Sequence, residues 1–350
     1  MDLQRRSLLL ALAAGGTAWA TAAAPDAAWR DVLDTPATLS AYAPRGLING
    51  LALAGRRTVA VGWRGHALWS DDAGKSWQQA SVPVASDLTA VAFADATNGW
   101  AVGHDGVVLH STDAGKSWTR QLDGRSLGEV LVKHYTALGD AKWLAEAQRF
   151  AAQGAENPFL DVWFQDARTG YIVGAFGLVL RTTDGGAQWE PLLHATDNPK
   201  GLHLYAVRGI ASELYLAGEQ GLLLKLDPAT GRFRALELPY KGTLFGLVGT
   251  AGMLVAHGLR GNVVRSTDAG RSWQSVPTGV AVGLTAGTID AAGRVILVSQ
   301  AGHVLVSRDD GASFTLAKVE RPIPAAAVVA AASGAVVVAG PRGTQPVALP

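Results

Sequence analysis

The sequence predicts an all-β protein, a seven-bladed β-propeller, and three observations predict it. The composition is rich in glycine and poor in charge, an aspartate–glycine–aromatic box recurs along the chain, and a Gly-x-x-Gly turn recurs in step with the box. Glycine supplies 42 of 350 residues, well above the roughly 7% usual for soluble chains, while charged residues make up 17% against roughly 25%. That profile suits many short strands joined by tight turns, because glycine takes the positive-φ positions such turns need. Thirty basic residues against 29 acidic ones leave a net charge of +1, so no broad cationic surface exists for a run of phosphates and no nucleic acid is expected as partner. The absence of cysteine excludes disulfides, thiolate nucleophiles and cysteine-ligated metal centres.

The first residues read as an address. Arg5-Arg6 precedes an apolar run over residues 8–14, followed by Ala18-Trp19-Ala20 and small residues to Ala24. A positive start, a short apolar stretch and A-x-A spacing describe a signal peptide over residues 1–24. The run is too short for a bilayer span of about 20 residues, and no later window is longer, so the chain is not expected to cross a membrane. Export by the general or the twin-arginine route fits the pair of arginines. With no cysteine to carry a lipid anchor, the mature chain, residues 25–350, is expected as a soluble monomer of the periplasm or an equivalent compartment.

The box first appears as Ser70-Asp71-Asp72-Ala73-Gly74-Lys75-Ser76-Trp77 and returns at 111–118, 182–189, 266–273 and 307–314. Each copy fits Ser/Thr-x-Asp-x-Gly-x-x-Trp/Phe, the Asp-box or bacterial neuraminidase repeat, with Asp72, Asp113, Asp184, Asp268 and Asp309 as its aspartates. A degenerate copy runs from Leu226 to Phe233. The aspartate can accept N–H groups of its own turn and the aromatic can pack between sheets, so the box staples a hairpin. Calcium binding is disfavoured, since each box offers only one or two carboxylates, and no other metal or cofactor is expected.

The second ladder has its closing glycines at 65, 106, 177, 221, 261, 302 and 343, spaced by 41, 71, 44, 40, 41 and 41 residues. Apolar stretches precede these turns and alternating strands follow them, giving four antiparallel strands per unit of roughly 40 residues, the size of a propeller blade. The last unit ends after its third strand. The segment 29–34, which starts Trp29-Arg30-Asp31 and resembles the stretches after the boxes, is expected to complete the seventh sheet and close the ring. The long interval places an insertion at 124–157 between blades 2 and 3. Ser126-x-x-Glu129 has the form of a capping box, and Asp140 and Gly154 bracket a second apolar-periodic segment, so a helical hairpin is expected. It either covers the rim or serves as a docking arm.

In such blades the Gly-x-x-Gly turns and the links between blades share one face, and the boxes share the other. The turn face carries Arg64, Arg260 and Arg342 at equivalent positions, with His104, Asp105 and Glu219. Three guanidinium groups around a channel could hold a carboxylate or phosphate; the alternative is that these are solvated turn residues.

From about Trp29 to Pro350, apart from the insertion, the register of boxes and turns resembles the photosystem II stability and assembly factor family of Asp-box propellers. The resemblance implies a non-enzymatic factor that holds a subunit of a membrane-protein complex, photosystem-like or another envelope complex. It also implies recognition through an arginine-rich face, to which Arg64, Arg260 and Arg342 are matched. The competing reading is an Asp-box glycoside hydrolase, sialidase-like, or a carbohydrate-binding propeller. Asp105 and Glu219 would be its candidate carboxyl pair, but no local motif supports them. Arg321-Pro322-Ile323-Pro324 only loosely matches a sialidase element, and the eight histidines show no paired metal-ligand spacing. No catalytic residue is assigned.

Overall fold

The computed structural model describes residues 30–331 and 334–349, so the expected signal segment 1–24 and Trp29 lie outside the described residues. The chain divides into two units, Met1–Asp31 and Val32–Pro350, and every sheet belongs to the second.

Seven antiparallel sheets follow one another along that unit, six of four strands and one of three, each pairing its strands in chain order. Blade 1, for example, runs Ile48–Ala54, Arg57–Gly62, Ala67–Ser70, Gln78–Gln79. The first strands of the blades lie side by side: Ile48–Ala54, Leu88–Phe93, Phe159–Phe164, Leu204–Ile210, Leu244–Thr250, Leu284–Ile289 and Ala327–Ala330. The last of them returns beside the first. Residues from all seven line a central cavity of about 190 Å³. The second strands are nearly continuous apolar runs, such as Val295–Ser299 and Val336–Gly340, and are buried along their whole length except at Arg57 and Glu213, which open those of blades 1 and 4. A strand covered by a neighbouring sheet on each face has no polar side to alternate with. The core accordingly lies between blades, as where Val59, Val61 and Ala67 of blade 1 meet Leu88, Val91 and Leu109 of blade 2.

The seam between the last and first blades corrects the sequence reading. Among the described residues the seventh sheet has three strands, Ala327–Ala330, Val336–Gly340 and Gly343–Val347, and no N-terminal strand joins it. Val32–Asp34 is instead a 3-10 turn. Leu33 is buried among core residues of blades 1 and 2. Val32 O accepts the Ala85 N–H at 2.8 Å, and Leu33 O accepts Arg120 Nη1 at 2.6 Å. Asp34 forms a two-pronged ion pair with Arg125 at 2.8 and 3.0 Å. Burial of Leu33 and these long-range bonds hold the segment on the blade 1–2 boundary. The seam itself is side-chain packing, with Ala43, Ile48, Ala60 and Leu68 against Ala327 and Ala339.

Each of the five boxes repeats one hydrogen-bond pattern. The leading Ser or Thr hydroxyl donates to the aspartate Oδ1 at 2.7–2.8 Å and accepts the N–H of the box glycine at 2.8–2.9 Å. The same Oδ1 accepts the N–H four residues on at 2.8–3.0 Å. In blades 1, 2 and 5 the box tryptophan closes the loop by donating Nε1–H to its own glycine carbonyl at 3.1–3.2 Å. Donors from Ser76 and from Ser313 hold Asp72 and Asp309 down at about 2, below the ordinary carboxylate value. A carboxylate with a depressed value contributes stability above its unfolded value, near 3.8, and loses it as pH falls through the folded value. The urea midpoint is therefore expected to fall between about pH 4 and pH 2. An Asp72→Asn/Asp309→Asn variant should start lower and show a shallower fall; an unchanged slope would contradict the staple.

Two helices fill the insertion, α1 (Gly124–Leu138) and α2 (Ala141–Gln153). Asp140 caps α2 through the Lys142 and Trp143 N–H groups, and Gly154 follows its end. The start of α1 differs from the sequence reading: the cap is Asp123, which accepts the Arg125 N–H, and Ser126 already lies inside the helix. Asp123 wins because Arg120 and Arg125 also pair with its carboxylate, at 3.2 and 3.0 Å. Leu127, Leu131, Tyr135, Ala147 and Phe150 are buried in one cluster with Trp100 of blade 2 and Phe159 of blade 3.

Candidate functional site

The turn between the second and third strands of each blade sets the candidate face. Five of them, at 63–65, 104–106, 175–177, 219–221 and 259–261, are 3-10 turns whose middle residue is left-handed. Those middle residues are Arg64, Asp105, Phe176, Gln220 and Arg260, with φ between 53° and 59°. The conformation is unusual for residues other than glycine, and all five side chains except the half-buried Asp105 are exposed. The closing glycines sit on the links that enter the next blade. A Cβ at Gly261 would lie 1.9 Å from Val280 O, and one at Gly343 2.2 Å from Pro44 O. Turns and links therefore share a face, and the link 43–47 is flanked by the turns of blades 1 and 7, since Gly62 abuts Leu47.

The structure places the sequence-predicted residues as follows. Arg64 is exposed, lies 4.5 Å from the centroid of the exposed Trp63 ring, and donates its backbone N–H to Asp87 Oδ1 at 2.8 Å. Arg260 is exposed beside Tyr240, whose hydroxyl donates to Leu259 O at 3.0 Å. Burial pushes the Tyr240 hydroxyl up, against the opposing pull of Arg260. Arg342 is exposed in the Gly340–Gly343 hairpin turn. None of these three arginines has an ion-pair partner among the described residues. His104 is exposed and its N–H bonds to Asp87 O at 2.9 Å, so Asp87 ties the turns of blades 1 and 2 together. Asp105 is half-buried. Glu219 has a bonded role: its Oε2 accepts the His203 N–H at 2.8 Å, and His203 Nδ1 accepts the Phe176 N–H at 2.8 Å.

Sequence reasoning missed several groups on this face. Arg45 is exposed in the link between the Arg64 and Arg342 turns, and no repeat marks it. Trp63, Phe176 and Leu259 are large exposed apolar side chains on the same turns. The channel also holds a pair that no motif announced: Asp161 is buried, bonded to Arg208 Nη1 and to the Val207 N–H at 2.8 Å. A lone acid within an innermost apolar strand was the available signal. Burial pushes its carboxyl up against the pull of Arg208. Guanidinium groups without ion-pair partners, Arg64 beside the exposed Trp63 ring among them, give the face the chemistry to hold carboxylates and apolar side chains together. A larger cavity, about 610 Å³ between α1 and the blade 3 box, contains none of these residues. No group of three or more potential metal ligands occurs among the described residues, nor a helix long and apolar enough to cross a membrane.

Comparison with known proteins gives a consistent picture. A family profile described as photosynthesis system II assembly factor YCF48 matches residues 54–142 and 149–315. A curated relative from Synechococcus sp. (strain CC9902), named photosystem II assembly lipoprotein Ycf48, is 27% identical over 159 residues. That alignment covers 44% of the chain and 47% of the relative, so the chain spans about half the length of the curated relative it matches. A solved structure titled YCF48 bound to D1 peptide superposes with a TM-score of 0.65 at 17% identity, over 88% of this chain and 94% of that one. YCF48 from Cyanidioschyzon merolae gives 0.61 at 16%, over 89% and 98%. The WD40 propeller domain of Doa1 gives 0.63 at 9%, over 90% and 96%, a likeness of fold alone.

Proposed function

Because the chain belongs to the YCF48 family of photosynthesis system II assembly factors, we propose that it is a non-enzymatic assembly factor. It binds an acidic peptide segment of a membrane-complex subunit on the face of the Gly-x-x-Gly turns. The observation that carries the reading is the set of exposed arginines without ion-pair partners, Arg64, Arg260 and Arg342, at the tops of blades 1, 5 and 7. Arg45 adds a fourth cation between two of them. His104 and Asp105 border the site, and Glu219 acts through the His203 bond that fixes the blade 3 turn. A relative solved with a D1 peptide supports a peptide as the class of ligand. The lipoprotein name of the curated relative supports a site of action outside the cytoplasm, as the leader sequence suggests. Glu219, one of the two candidate carboxyl groups of the glycoside hydrolase reading, is engaged in holding a turn, which supports the binding reading over the hydrolytic one.

The test is capture of partners from the native envelope by the full chain and by an Arg64→Ala/Arg260→Ala/Arg342→Ala variant. The native chain should retain a membrane-complex subunit and the variant should lose it. The melting temperature should stay nearly unchanged, because exposed and unpaired charges contribute little to stability. A variant that captures the subunit as well as the native chain would refute the assignment.

A further inference from the structure

Beside blade 3 the helical insertion forms a groove of about 240 Å³ on the turn face, between α2 and the link into blade 4. Its walls include Trp143, Phe176 and Leu193, and its ionisable lining is Lys142, Glu146, Arg149 and Lys200. Glu146 is bonded to Arg149, which leaves the two lysines uncompensated, so the opening is positive.

Phe176 is the informative residue. At the equivalent turn position the other four 3-10 turns place Arg64, Asp105, Gln220 and Arg260, all polar. Blade 3 alone places a large apolar ring there, at φ 54°, and leaves it 43% exposed. Left-handed backbone is poorly suited to phenylalanine, and exposure gains it nothing in folding. The ring is nevertheless held firmly. His203 accepts its backbone N–H and stands edge-on at 4.8 Å, Glu219 fixes His203, and the Arg149 guanidinium lies 5.6 Å from the ring centroid. Strain and exposure maintained together by a dedicated bond network mark a contact surface.

We infer that this groove seats one aromatic side chain of an acidic peptide, with Phe176 and Trp143 gripping the ring and Lys142 and Lys200 meeting the flanking carboxylates. The inference rests on the peptide-binding reading of the turn face and assigns the insertion the role of its apolar anchor. The helices are thereby part of the recognition surface as well as of the core.

Two fluorescein-labelled probes test it by anisotropy: the pentapeptide Asp-Glu-Phe-Asp-Glu and its analogue with serine at the centre. The native chain should bind the phenylalanine peptide at least about tenfold more tightly, the discrimination a well-filled apolar pocket supplies. In Phe176→Asn the ratio should drop to near one, with the serine peptide bound as before. Its melting temperature should not fall, since asparagine suits the left-handed turn better. Lys142→Ala/Lys200→Ala should weaken both peptides. The Arg64→Ala/Arg260→Ala/Arg342→Ala variant should also weaken both but keep the ratio; if it binds both as the native chain does while the ratio persists, the arginine reading fails and the groove stands. A native ratio near one, a ratio that survives Phe176→Asn, or no binding of the phenylalanine peptide up to millimolar concentration would overturn the groove.

Discussion

Trp100→Ala is expected to destabilise the fold by about 3–5 kcal/mol, the range for removing a fully enclosed large aromatic side chain. Trp100 has no exposed surface. Its ring stacks on Phe164 of blade 3 at a centroid distance of 3.5 Å and on His110 of its own blade at 4.6 Å. Its Nε1–H donates to Gly185 O, in the blade 3 box, at 3.2 Å. One side chain thus joins two blades at the place where the insertion also packs. Alanine would leave a cavity that strands constrained on both sides cannot collapse to fill. Gly185 O would keep a donor, because Gln121 Nε2 also reaches it at 2.8 Å, so most of the loss should be packing. Trp100→Phe should recover much of it. Urea unfolding measures both, and a loss below about 1 kcal/mol for alanine would mean that the blades do not depend on this contact.

The second large effect is a pH dependence set in the channel. His257 is buried where the first strands of blades 5 and 6 meet, and donates Nδ1–H to Leu284 O at 2.9 Å. Its ring fills space that Gly246 and Gly287 leave free: a Cβ at Gly246 would lie 2.5 Å from Nε2. Burial pulls its value down to about 4, and the Arg208 charge acts in the same direction. The unfolded chain therefore takes up a proton near pH 6.5 while the folded chain stays neutral to about pH 4. Stability is highest above pH 6.5 and is lost as pH falls through this window, by about 3 kcal/mol at its acid end. His257→Asn, which keeps a donor for Leu284 O, should flatten the curve between pH 6.5 and 4 while leaving the later box-dependent fall intact. If the native and variant curves run parallel through that window, the buried neutral imidazole is not what governs it.

The parts of the fold that were readable in the sequence are those fixed by local geometry. Box and turn each need particular residues within eight positions, so their spacing gave the number of sheets and the order of strands. Asp140 and Gly154 bracketed α2 for the same reason. What misled or escaped the reading depends on distant partners. The segment 29–34 looked like an outer strand by its aromatic and leucine spacing, but Leu33 and Asp34 find their partners in blade 2 and α1. Ser126 had the better local cap pattern, yet Asp123 is held by two arginines. At the candidate face the equivalent arginines could be picked out by counting. Phe176 and the Glu219–His203 bond chain could not, because the turn gains its meaning only when α2 folds beside it.

Cross-linking with a lysine-reactive reagent, on the complex captured from the native envelope, tests the central claim most directly because it asks which face meets the partner. Lys200 and Lys241 are exposed in links on the turn face, whereas Lys75 and Lys116 are exposed in boxes at the opposite ends of the strands. The account predicts partner cross-links at Lys200 and Lys241 and none at Lys75 or Lys116. Cross-links concentrated at Lys75 and Lys116 would contradict it.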